Sequence, residues 1–182
     1  MKKLKLTIGL MVACFMLTMN VSAQTDNHSL TMGIPEVCLL TTPAAAIPLE
    51  LTTTTAGAQI TGGTGTGYAQ VSSIVGAVEL RTITAAITGI PTGTALTVAT
   101  AIPTNANKGG ILGTGTSATA LVNLAGAVTL VTGIGSCFTG TAADDGYIFS
   151  YAWDAGDVGD YGSIVATEGS TATVTLTITN TP

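Results

Sequence analysis

Ala172-Thr173-Val174-Thr175-Leu176-Thr177-Ile178-Thr179 is the stretch whose reading decides the fold. Val174, Leu176 and Ile178 fall on one side of an extended chain and the threonines on the other. That two-residue period belongs to an antiparallel strand with one face buried. The same period runs through Tyr147-Ile148-Phe149-Ser150-Tyr151-Ala152-Trp153, where Tyr147, Phe149, Tyr151 and Trp153 share a face. A stripe of rings at this spacing belongs in a core, with its hydroxyls and indole N–H at the wet rim. The alternative is a platform for a stacked glycan, with Tyr151 and Trp153 as the ligand contacts.

Working outward, further strands are expected over residues 30–40, 47–52, 68–73, 79–88, 96–99, 118–124 and 127–132. Leu30, Met32, Ile34, Cys38 and Leu40 are in phase in the first of these, and Ile83, Ala85 and Ile87 in the fourth. Residues 68–73 and 79–88 read as a hairpin around Val75-Gly76-Ala77. Glycine clusters at 62–67, 108–110 and 113–115 read as turns and loops, because glycine enters positive φ without steric cost. Pro35 and Pro48 suit edges or strand starts, since neither can donate a ladder hydrogen bond. No helical period of any length appears. About eight or nine short strands with regular turn signals predict an all-β fold, an antiparallel β-sandwich of immunoglobulin-like or related Greek-key type.

The chain of 182 residues begins with a basic Met1-Lys2-Lys3-Leu4-Lys5, continues as an apolar run over 6–19, and reaches Val21-Ser22-Ala23 before turning polar. Those features predict a signal peptide over 1–23, cleaved after Ala23, and a single domain over 24–182. The rival is lipidation at Cys14, which sits in a degraded lipobox. No second apolar stretch of about 20 residues follows, so no transmembrane segment is expected.

Only Arg81 and Lys108 would then remain against ten carboxylates. That balance argues against nucleic acid, which needs a basic patch to displace counterions, and against an anionic membrane surface. Charged residues are 8% of the chain, against about a quarter in ordinary domains. Threonine, serine, glycine and alanine take their place, giving a surface that is polar without being charged.

Cys38 and Cys137 outlive the signal, and in an oxidising compartment an isolated pair is expected to form one disulfide. Closing a loop of about 100 residues stabilises by about 4–5 kcal/mol in the chain-entropy picture.

Reactive chemistry is sparse. His28 is the sole histidine, and one imidazole makes neither a zinc site nor a triad. Gly133-Ile134-Gly135-Ser136-Cys137 places its serine one residue away from a nucleophile elbow. The glycines of 62–67 come without the lysine or the helix of a phosphate cradle. Asp154, Asp157 and Asp160 stand three apart in a glycine-rich loop, with Asp144 and Asp145 ahead of the aromatic strand. Calcium takes oxygen ligands from flexible loops, so these three are the candidate metal ligands and calcium the candidate cofactor. The plainer reading is that they cap backbone donors in turns. No enzyme is expected.

Gly33-Ile34-Pro35-Glu36-Val37-Cys38, Gly133-Ile134-Gly135-Ser136-Cys137-Phe138-Thr139-Gly140 and the threonine-alternating last strand resemble small exported proteins of unknown function from Gram-negative bacteria. More distantly, in composition alone, the chain is similar to pilin-like and fimbrial β-sandwich subunits. Taken together, the expectation is a secreted or cell-surface protein, with the periplasm as the other destination. Its role would be structural or adhesive, with self-association into a fibre or matrix through strand edges. A cell-surface module binding a glycan or peptide, with or without calcium, is the alternative.

Overall fold

The computed structural model describes residues 24–43, 46–53, 55–157, 160–167 and 169–181. The chain divides into two units, Met1–Ile34 and Pro35–Pro182. The predicted signal peptide and Cys14 lie outside the described residues. In the first unit, residues 24–34 carry no strand, and Leu30, Met32 and Ile34 are exposed.

The second unit holds eleven described strands: β1 (Val37–Thr41), β2 (Gly63–Ile74), β3 (Leu80–Thr88), β4 (Thr94–Ala101), β5 (Gly109–Gly110), β6 (Thr114–Gly115), β7 (Thr119–Leu121), β8 (Val128–Ile134), β9 (Cys137–Phe138), β10 (Tyr147–Ala155) and β11 (Thr173–Thr181). All the ladders are antiparallel. One sheet runs β5-β9-β2-β10-β4-β7, with β1 added to β2, and the other runs β11-β3-β8-β6. The fold is the expected all-β, two-sheet sandwich.

Alternation builds the core. β10 buries Tyr147, Phe149 and Tyr151, and β4 buries Leu96 and Val98. From the facing sheet β3 contributes Ile83, Ala85 and Ile87, while β8 contributes Leu130, Val131 and Ile134. β8 buries two successive residues because its register with β3 shifts near Ile83. Such a bulge turns an extra side chain inward. Gly133, at φ 74°, occupies the left-handed conformation that the second irregularity requires.

Several sequence expectations are corrected. The strand expected over 30–40 begins only at Val37, after Gly33 and Pro35, and extends to Thr41. The strand expected over 47–52 is absent apart from one bridge between Thr52 and Thr61. The glycine run at 63–67 is not a loop but the first half of β2. Gly63, Gly65, Gly67 and Ala69 stand opposite Trp153, Tyr151, Phe149 and Tyr147 of β10, so the smallest residues face the largest. Residues 47–50 lie over those glycines. A Cβ on Gly63 would sit 2.8 Å from the Glu50 backbone, and one on Gly67 would sit 2.8 Å from Ile47 Cδ1.

Nor do β2 and β3 form a hairpin; they belong to different sheets. Both flanks of the second half of β2 are occupied, by β1 on one side and β9 on the other, so β3 crosses over to pair with β8 and β11.

Candidate functional site

Arg81 lies in phase with Ile83, Ala85 and Ile87 and shares their inward face, where it is 2% exposed. Its Nε donates to Asn180 Oδ1 at 2.9 Å. Nη1 donates to the Val37 carbonyl and to Ser73 Oγ, and Nη2 to the Ile74 carbonyl. A guanidinium is the side chain suited to this task, since its planar fork carries five donors. It ties β3 and β11 of one sheet to β1 and β2 of the other.

The cysteines sit beside this hub. Ser73 is the register partner of Cys38 on one flank and of Cys137 on the other. Two strand spacings therefore separate the cysteines, roughly 10 Å, whereas a disulfide needs Cα atoms within about 7 Å. Both thiols are free, Cys38 exposed and Cys137 buried. The expected disulfide is not formed, because the register places a strand between its halves. Burial pushes the Cys137 thiol pKa up, against smaller opposing pulls from Tyr147 and Arg81. The Tyr147 hydroxyl donates to the Leu112 carbonyl at 2.7 Å, and burial raises its pKa well above the ordinary phenol value, with Cys137 adding to the rise.

Asp154, Asp157 and Asp160 are not gathered at one point. Among the described residues, no group of three or more histidine, cysteine or acidic side chains is placed to hold a metal ion. Asp154 Oδ1 accepts the Gly62 N–H at 2.8 Å. Asp160 caps a short 3₁₀ turn (Tyr161–Ser163) through its backbone, with no side-chain cap. Asp145 is the buried acid of the aromatic strand's approach. Its carboxylate accepts the Ala142 N–H at 2.8 Å and an amide hydrogen of Asn105. Asn105 also donates to the Thr139 carbonyl at 2.8 Å. This buried carboxylate organises a loop by accepting from two part-buried donors.

Of the two candidate ligand contacts, Tyr151 belongs to the core and Trp153 packs against it. Tyr151 is 8% exposed, and burial raises its phenol pKa. Trp153 is half-buried, and its indole N–H donates to Thr94 Oγ1 at 2.9 Å. A shallow depression of about 190 Å³ beside Pro91, Ser163 and Val165 has no titratable side chain in its lining among the described residues.

What the second unit offers a partner is an edge. β11 pairs with β3 along an unbroken nine-residue ladder, and no described strand pairs with its other side. Its threonines are exposed, and Val174, Leu176 and Ile178 are only half-buried. Other described strands with a free side are shorter: β1, paired only with β2, has five residues, β7 three, and β5 and β6 two each. Sequence reading recognised the strand and offered it, alongside residues 30–40, as an edge for pairing between subunits. It passed over Arg81, although the phase of residues 81–87 carried the signal.

Among the described residues no helix is long and apolar enough to cross a membrane. Comparison with protein-family models, with curated proteins and with solved structures finds no match.

Proposed function

We propose that this protein is an exported structural or adhesive surface subunit, without catalysis, that assembles with other subunits through β-strand edges. The observation that carries the reading is the margin at β11. Natural sheets protect exposed edges with lysines, prolines, bulges or brevity. Residues 173–181 contain no charge and no proline, and their ladder to β3 has no bulge. An edge left unprotected over nine residues is a template for strand addition.

Two further features support the reading. The buried charged side chains among the described residues, Arg81 and Asp145, are spent inside the fold as hydrogen-bond hubs rather than presented to a substrate. The outward threonines add hydrogen-bonding capacity without the repulsion that charged neighbours would bring to a packed array.

The test is to isolate the native protein from cells and medium. Its location would be recorded, and its particle size followed by light scattering and negative-stain microscopy over a wide concentration range. Surface-associated assemblies larger than one chain are expected. Monomers at every concentration, or a soluble periplasmic monomer in cells, would overturn the proposal.

A further inference from the structure

Resting on that assembly reading, we infer that the partner of β11 is β11 of a second copy, joined antiparallel about a two-fold axis at Leu176. The sequence of the strand is its own complement in this arrangement. Reading outward from Leu176, Thr175 is balanced by Thr177, Val174 by Ile178 and Thr173 by Thr179. An antiparallel ladder brings residues on opposite sides of its centre together and keeps paired residues on the same face of the sheet. Val174 of one copy therefore meets Ile178 of the other on the inner face. Thr175 meets Thr177, and Thr173 meets Thr179, on the outer one. A self-complementary patch is what a two-fold interface requires.

The fold supplies the need as well as the fit. Val174, Leu176 and Ile178 point at the core yet remain half-exposed, because the four-stranded sheet stops at β11. A strand alongside would continue that sheet into the second copy and cover their open flank. Threonine already pairs with threonine on this surface, since the Thr82 and Thr181 hydroxyls share a hydrogen bond of 2.7 Å across the β3–β11 ladder. Residues 169–181 also lack charged side chains, so two copies of an acidic protein can approach here without like charges meeting.

The experiment compares the full-length exported protein with Thr175→Lys/Thr177→Lys and Thr175→Glu/Thr177→Glu by analytical ultracentrifugation. Circular dichroism and thermal melting would establish that each variant is folded. Wild type is expected to sediment as a dimer or as a multiple of dimers. Each variant alone sets like charges opposite one another and should weaken the dimer about tenfold or more, whereas an equimolar mixture of the two should restore pairing.

Should the variants not fold, hydrogen exchange of wild type supplies a second readout: β11 amides should become more protected as concentration rises. Variants that associate as wild type does, or β11 exchange independent of concentration in an assembled sample, would overturn the β11 pairing and leave assembly through another surface standing. Wild type that stays monomeric would overturn both.

Discussion

Tyr151 and Gly65 face each other across the β2–β10 ladder, and the Tyr151 ring lies beside the next inward glycine, where a Cβ on Gly67 would sit 3.4 Å from Tyr151 Cε2. A Cβ on Gly65 would overlap the Ile47 Cγ2 methyl and lie 3.0 Å from Leu49 Cδ2. Gly65→Val is therefore expected to destabilise by about 1–3 kcal/mol through overpacking, despite valine's better strand propensity. Thr66→Val, on the exposed face, should change stability by less than about 0.5 kcal/mol. Urea unfolding of both variants checks the contrast, and equal midpoints would mean that this glycine row is not covered.

Arg81 is a single side chain that holds both sheets. Replacing it with methionine keeps much of the volume but leaves the carbonyls of Val37 and Ile74, the Ser73 hydroxyl and the Asn180 amide without their donor. Loss of a buried hydrogen-bonded network of this kind costs about 3–5 kcal/mol. Arg81→Lys should recover only part of it, because an ammonium cannot reproduce the fork. The measurement is the free energy of unfolding, in the order wild type, lysine, methionine. A methionine variant as stable as wild type would remove Arg81 from the account of the fold.

Both features show how far alternation carries a reading of the sequence. It placed β10 and β11, because large apolar residues two apart admit few other interpretations. It missed the first half of β2, where glycine holds the inward positions and mimics a turn. Yet Gly63, Gly65 and Gly67 continue the phase of Ala69, Val71 and Ser73, and that was the available signal. Arg81 was legible by the same phase argument. The pairing of β2 was not, because neighbours in sequence pair by default. Here β1, β9 and β10 take both flanks of β2, and no local pattern announces a later strand. The cysteines fail for that reason too: spacing along the chain says nothing of a strand inserted between them.

That insertion makes a prediction about thiols. Cys38 should react with an alkylating reagent in the native protein, being exposed, while Cys137 should stay protected until unfolding. Burial and the raised pKa act together on Cys137, lowering both its access and its thiolate fraction. For a chain beginning at Gln24, and so without Cys14, mass analysis after native and denaturing alkylation is expected to show one label and then two. Fast double labelling of folded protein, or no labelling even after unfolding until a reductant is added, would contradict the register around Ser73.

The turn that carries β2 into β3 gives a pH dependence of definite sign. Glu36 Oε1 accepts the Gly76 N–H at 3.2 Å. Glu79 has a raised carboxyl pKa, chiefly because it shares a hydrogen bond with Glu36 and also because it feels that residue's charge. Desolvation adds to the rise, whereas the Gly76 N–H and Arg81 pull the other way. A carboxyl raised in the fold holds its proton to a higher pH than in the unfolded chain. Between those two pKa values the native state binds more protons, so stability falls as pH rises through the window and stays lower above it. Glu79→Gln removes that contribution. Melting temperatures of wild type and variant measured from about pH 4 to 7 should converge at the acid end and separate toward neutrality, with the variant the more stable. Glu79 is fully exposed, so the separation will be small. Parallel curves, or a variant that loses stability as pH rises, would show that the two carboxyls are not coupled across this turn.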